Sequence, residues 1–356
     1  MLECSSIIEK HKLSNFSQSK KCNDYKSLHL KPITECQIFL TRKCNILCGY
    51  CKLTKKHFEK ELSIDEWKLA FKNLEKIGIK TVKILGGEPT VIDRLEELLK
   101  FINENTSIKY AILSNSMFSQ EKLESLINTG LQGYFASIDG IEDIKSVNDY
   151  SIKKSHEGFK KLLEFKRKGV KILGANVVIN KQNILDLPDV VKALSDEGIW
   201  VNLCPVIHGK QSFWEFRTEV PLQYKFTKDD IPLINTVMKK LLALKDQGYK
   251  IVVPDSYLLE MSKYCIDLNW KCNQLVQLRI DADGALTICN DIRGKIAEKY
   301  NILDIDDETF NQFKLDWYND PERLNCPGCY WSCILNAQYN IDKQKLEFDY
   351  ITKVSR

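Results

Sequence analysis

Three observations predict an α/β fold of parallel strand–helix units. Short apolar segments alternate with amphipathic ones from Cys36 onward. The alternation recurs six times, at a spacing of roughly 25–35 residues, which is the length of a βαβ step. No internal repeat or low-complexity tract interrupts it.

The elements follow in order. Gln37–Thr41 is short and apolar and forms the first strand. Ser63-Ile-Asp-Glu66 carries a capping-box signature, and the helix it opens runs to Gly78, a residue suited to the position just past a helix end. Thr81–Leu85 is the next strand and Arg94–Asn103 the next helix. Tyr110–Ser114, Gln120–Asn128 and Gly133–Ile138 continue as strand, helix and strand. His156–Lys168 is helical, Lys171–Ile179 a strand, Leu185–Asp196 helical, and Trp200–Pro205 the sixth strand. Lys228–Leu244 supplies the final helix. In folds of this kind, chemistry collects at the carboxyl ends of the strands.

The rhythm breaks over Gly248–Ser262, so a domain boundary is expected near residue 250. Residues 1–35 are polar, rich in Lys and Ser, and read as an extension. The expected division is an extension over 1–35, a core over 36–250 and a small α+β domain over 251–356.

With 356 residues, 44% hydrophobic and 28% charged, the chain can bury a substantial core. Lys and Arg number 52 against 48 for Asp and Glu, and a net +4 at this size points to neither nucleic acid nor a membrane surface as partner. No apolar run approaches ~18–20 residues, and the first residues lack a basic stretch followed by an apolar one. A cytoplasmic protein is expected.

The 13 cysteines are the unusual feature. An odd count without a secretion signal argues against a disulfide framework and toward metal or redox chemistry. Cys44-Asn-Ile-Leu-Cys48-Gly-Tyr-Cys51 directly follows the first strand. Three thiolates on one tight loop can hold three corners of an iron–sulfur cube and leave the fourth iron open to a substrate. A zinc loop is the competing reading, although zinc usually takes four protein ligands. Gly86-Gly87-Glu88-Pro89 follows the second strand. Its glycines permit close approach of backbone to a ligand, and a carboxylate can meet an ammonium.

With CxxxCxxC after one strand and GGEP after the next, the chain resembles the radical S-adenosylmethionine (SAM) superfamily. The resemblance implies a partial (β/α)6 barrel and a [4Fe-4S] cluster on Cys44, Cys48 and Cys51. It implies SAM on the open iron, with Gly86, Gly87, Glu88 and Pro89 at SAM's amino group. It further implies Tyr50 near the adenine and Asn115 at a TNG-type strand end. Ser137 and Asp139 would face the ribose or methionine, and Val178 and Ile179 an apolar wall beside the adenine. Each of these positions also reads as ordinary strand-end polarity or core packing.

A second cysteine set reads Cys272-x11-Gly284-x4-Cys289, then Cys326-Pro-Gly-Cys329-Tyr-Trp-Ser-Cys333. Asp281–Cys289 between them reads as a hairpin whose second strand ends at a thiol. This pattern resembles the SPASM/twitch extension of radical SAM enzymes, which carries auxiliary [4Fe-4S] clusters; the resemblance then spans Cys36 to Ala337. It departs from the full pattern, having CxxCxxxC and no cysteine after Cys333, which implies one auxiliary cluster. Cys272, Cys289, Cys326 and Cys329 are the favoured ligands, with Cys333 and then Cys265 as alternates. A structural zinc fits the spacing equally well.

Cys204 ends the sixth strand, where a thiol could donate a hydrogen atom to a substrate radical; a small buried apolar residue is the plainer reading. His208 and Trp214-Glu-Phe-Arg217 lie nearby as candidate pocket residues, and Cys4, Cys22 and Cys36 belong to no motif.

The resemblance implies reductive cleavage of SAM to methionine and a 5′-deoxyadenosyl radical, which takes a hydrogen atom from substrate. The auxiliary cluster would accept an electron, and a flavodoxin or ferredoxin would supply the first one. Oxidative modification or crosslinking of a peptide or protein is the leading expectation. The alternative is dehydrogenation or epimerisation of a sugar or aminocyclitol-like small molecule. A non-catalytic iron–sulfur or zinc protein is the reading of another class; GGEP speaks against it, because an electron carrier has no use for a SAM site.

Overall fold

The structure is a computed structural model that describes residues 32–51, 60–140, 150–208, 220–272 and 275–342. Trp214-Glu-Phe-Arg217, Cys4 and Cys22 lie outside the described residues.

Strands β1 (Glu35–Phe39), β2 (Thr81–Leu85), β3 (Lys109–Ser114), β4 (Gly133–Ser137), β5 (Ile172–Ile179) and β6 (Trp200–Pro205) correspond to the six expected from the alternation. A further strand, β7 (Leu278–Ile280), joins them in a parallel half-barrel sheet of order β6-β5-β4-β3-β2-β1-β7. Parallel strands are covered on both faces, so they are apolar nearly throughout. Among the polar exceptions, Gln37, Lys83, Asn176 and Asn202 all line one interior cavity.

Helices α1 (Ile64–Lys76), α2 (Leu95–Asn105), α3 (Gln120–Ile127), α4 (Tyr150–Arg167), α5 (Leu187–Asp196) and α6 (Ile231–Asp246) cross between strands or pack on the sheet. In α1 the capping box is formed as expected. The Ser63 side chain accepts from the Glu66 N–H at 3.3 Å, and the Glu66 carboxylate accepts from the Ser63 N–H at 2.8 Å. Ile64, Trp67, Phe71 and Leu74 then bury one face against the core. Arg94 does not begin α2 but precedes it in a left-handed conformation, φ 61°. Lys228–Asp230 form a 3-10 turn, and α6 starts at Ile231 with Pro232 in its first turn, where a missing N–H costs nothing.

After residue 250 come α7 (Asp255–Leu259), α8 (Met261–Asp267), β7, α9 (Asp307–Asn319), α10 (Pro321–Leu324) and α11 (Ser332–Asp342). Pairing of β7 with β1 sets Cys36 beside Leu278 and Gln37 beside Arg279, so this region extends the sheet by a strand. One hydrophobic cluster runs from Trp67 and Ile38 through Ile280 to Phe313 and Trp317. Arg42 and Asp281, 1% and 0% exposed, form an ion pair across the same junction.

The expected hairpin over Asp281–Cys289 is reduced to a turn. Gly284 takes φ +84° and its N–H bonds Asp281 O at 2.9 Å, while single bridges join Ile280 to Leu286 and Ala285 to Asn301. No strand reaches Cys289, because its N–H turns to Ile292 O at 3.0 Å and folds the chain into a second turn.

Candidate active site

The loops after β1 and β2 are laced together by backbone. The Gly87 N–H bonds Thr41 O at 2.7 Å, and the Glu88 N–H bonds Lys43 O at 2.8 Å. A Cβ on Gly86 would stand 2.4 Å from Thr41 O, and one on Gly87 2.1 Å from Lys43 O. Both glycines are therefore required for strand-loop to strand-loop contact, a reason the sequence did not disclose.

Glu88 is 1% exposed and serves as a hub. Its carboxylate accepts from the Thr90 hydroxyl at 2.6 Å, the Thr90 N–H at 3.1 Å, the Ser114 hydroxyl at 2.8 Å and the Asn115 N–H at 2.7 Å. Burial raises its pKa, and these hydrogen bonds oppose the rise. Its oxygens bind the ends of β2 and β3 together, and Glu88 also lines the cavity beside them. Pro89 is buried and opens a 3-10 turn, and it does not line the cavity beside it.

Cys44, Cys48 and Cys51 are half-buried and line one cavity of about 200 Å³, together with Gly86, Gly87, Glu88, Asn115 and Ser137. Asn115 donates its amide to Cys44 Sγ at 3.6 Å and to Asn45 Oδ1 at 2.8 Å. Burial raises the Cys44 thiol's pKa, and the bond from Asn115 works against that rise.

Tyr50 donates to Asp139, whose other oxygen accepts from the Val178 N–H at 3.0 Å. Asp139 is 2% exposed and clasps the cysteine loop to β5. Of the two β5 candidates, Val178 lines the cavity and Ile179 is fully buried in the core. Strand alternation sends adjacent side chains to opposite faces, and Ile179 is the one turned away.

A second cavity, about 190 Å³, shares Tyr50, Cys51, Leu85, Leu113, Asn176 and Val178 with the first. Gln37, Lys83 and Asn202 project into it from β1, β2 and β6, and Cys204 lines it too. Asn290 donates to Gln37 at 2.7 Å, and Asn202 to Asn176 at 2.9 Å. The Tyr257 hydroxyl, which donates to Tyr330 O at 3.1 Å, lies close to Cys204. These interior amides and Lys83 escaped the sequence reading. The available signal was a polar residue centred in a strand that must be buried on both faces. His208 lines none of the three cavities described; burial and then Lys225 lower its pKa.

A third cavity, about 240 Å³, is ringed by Cys272, Cys289, Cys326, Cys329 and Cys333. Among the described residues, no three His, Cys, Asp or Glu side chains converge on a point as a single ion requires. Cys265 stands apart: it is 1% exposed in the core, and burial pushes its thiol up to about 12. Its helix α8 turns it inward with Met261, one turn earlier. Asn290, Trp331 and Cys333 form a wall common to this cavity and the second.

A parallel half-barrel with three closely spaced cysteines at the carboxyl end of its first strand defines a class of protein. Residues 38–194 match the family model of the Radical SAM superfamily, and over this stretch the chain is similar to that superfamily. The family uses a [4Fe-4S] cluster and SAM. The chain is 26% identical to a PqqA peptide cyclase of Bradyrhizobium diazoefficiens, over 63% of its own length and 59% of that protein's. It is 26% identical to a GTP 3′,8-cyclase of Aquifex aeolicus, over 52% of its length and 61% of that protein's. The chain thus spans less than two thirds of either relative. Streptococcus suis SuiB, solved with S-adenosylmethionine bound, superposes with a TM-score of 0.60 over 92% of this chain and 77% of SuiB; at 16% identity the likeness is one of fold.

Proposed function

We propose that the chain is a radical SAM enzyme that oxidatively modifies or crosslinks a peptide or protein held in the second cavity. Cys44, Cys48 and Cys51 would hold the SAM-binding [4Fe-4S] cluster, and four of the five C-terminal thiols an auxiliary one. The observation that carries this reading is the continuity of the three cavities. Cys51 belongs to the first and second, and Cys333 to the second and third. A substrate between them has a radical source on one side and an electron acceptor on the other.

The residues fit these groups. Three thiols on one cavity wall leave a fourth iron without a protein ligand, and five thiols ringing a volume suit a cluster better than a point ion. When bound, the cluster and SAM supply an electron and a 5′-deoxyadenosyl radical able to take a hydrogen atom from an unactivated carbon. The chain's own groups do the rest. Asn115 orients Cys44, and Asp139 fixes Tyr50 and with it the cysteine loop. Phe39, Leu85, Leu113 and Val178 keep water from the passage between cavities. Gln37, Asn176, Asn202 and Lys83 offer donors and acceptors of the kind a peptide backbone needs.

A peptide substrate draws support from the activity named for the cyclase relative and from a structure of SuiB with its precursor peptide SuiA. A flavodoxin or ferredoxin would deliver the electron. Cys204, on the chamber wall beside the Tyr257 hydroxyl, favours a second reading: a sugar or aminocyclitol dehydrogenase or epimerase with Cys204 as hydrogen-atom donor.

Comparing peptides and metabolites from cells carrying wild type or Cys51→Ala by mass spectrometry tests the reading. A peptide lighter by two hydrogens only with the wild type is expected. An altered small molecule and unaltered peptides would contradict the peptide assignment, and unchanged mass with shifted retention would indicate epimerisation.

A further inference from the structure

The third cavity carries a charge pattern that its thiols do not require. Among its described lining residues, Lys271, Arg279 and Arg323 are cationic and none is acidic. Arg279 is the most enclosed of the three. It sits in the middle of β7, between Leu278 and Ile280, whose side chains enter the core. Register with Gln37 turns it to the interior face, where it is 2% exposed. Its Nη2 donates to Cys333 Sγ at 3.6 Å and its Nη1 to Leu278 O at 3.1 Å. Its Nε has no hydrogen-bond partner among the described residues. A guanidinium is costly to bury without a counter-charge. Asp291, a carboxylate near Cys289, Cys326 and Cys329, accepts from Trp331 Nε1 at 2.7 Å. Asp281 is taken by Arg42 and Arg293. Arg323 faces the same cavity, with its Nε held by Tyr318 O at 3.0 Å.

We propose that Arg279 is a redox-tuning residue: its buried charge, applied through Cys333, raises the potential of the auxiliary cluster so that it takes an electron from the substrate radical. This rests on the auxiliary-cluster reading above. A cluster bound by thiolates becomes more negative on reduction, so a fixed cation stabilises its reduced form more than its oxidised form. Low surrounding polarity strengthens that preference. In the step itself, the substrate carbon radical loses one electron to the cluster and one proton to solvent, leaving a closed-shell product. The C-terminal thiols would hold the group that takes up this electron, and a ferredoxin- or flavodoxin-class protein would remove it afterwards. Cys333 belongs to both the substrate chamber and the cluster cavity, so the charge acts where the electron crosses.

The test is a potentiometric titration of reconstituted full-length protein followed by electron paramagnetic resonance. The SAM-binding cluster is told apart by its spectral change when SAM is added, and iron per chain is measured on each sample. Arg279→Met should shift the auxiliary cluster to more negative potential with iron unchanged, and Arg279→Lys should lie between it and wild type. An unshifted potential in Arg279→Met with full iron would overturn the proposal. Should Arg279→Met lose iron, Arg279→Gln and Arg279→Lys decide: a lower potential in Gln than in Lys supports it, and equal potentials overturn it. Loss of iron from Gln and Lys alike would make Arg279 an assembly residue and overturn it too. A wild type holding only the SAM-binding cluster would instead defeat the auxiliary-cluster reading.

Discussion

Glu88 shows how far a motif speaks and where it stops. Its place after β2 was legible, but its partners Thr90, Ser114 and Asn115 were not, since a pattern of letters does not say which way a buried carboxylate faces. Glu88→Gln keeps the shape but sets an amide against donors, so it should cost about 1–3 kcal/mol, read from denaturant unfolding. Gly87→Ala should be worse for cluster binding than for folding. Its Cβ would push against Lys43 O at 2.1 Å and displace the loop that carries Cys44, so iron retention should fall after reconstitution. Val178 and Ile179 pose the same problem in milder form: alternation in β5 is certain from sequence, but its phase became visible only with the sheet around it. Cys44, Cys48 and Cys51 needed no such help, because their spacing alone confines them to one loop.

At the scale of elements, the barrel strands were legible because each is a buried apolar run with a helix after it. β7 was not: three residues with Arg279 at the centre match no pattern, and only pairing with β1 makes them a strand. The α1 cap was fully legible, and Ser63→Ala should cost ~1 kcal/mol in thermal or denaturant melts. Its partner Glu66 is held down to about 2, first by Lys60 and then by Ser63. A depressed carboxyl contributes stability above its ordinary pKa and loses it as pH falls toward the depressed one. The melting difference between wild type and Glu66→Gln should therefore be constant from pH 6 to 8 and shrink below about pH 4.5. The pair is largely exposed, so the difference will be small and weakened by salt.

At the scale of the molecule, the C-terminal region is fastened to the half-barrel by a shared core, by β7 and by the buried Arg42–Asp281 pair. Asp281→Ala leaves Arg42 buried beside a missing charge and should destabilise the protein by about 3–5 kcal/mol, measured by denaturant unfolding. Cysteine spacing announced the two thiol groups. What it could not announce was that a chamber would lie between them, since that depends on how β7 and α11 dock. The most direct test of that arrangement is iron, acid-labile sulfide and zinc per chain after anaerobic reconstitution. Two clusters flanking the chamber predict about eight irons, matching sulfide and no zinc. About four irons with one zinc would contradict it, turning the C-terminal thiols into a structural staple and leaving the substrate electron without its acceptor.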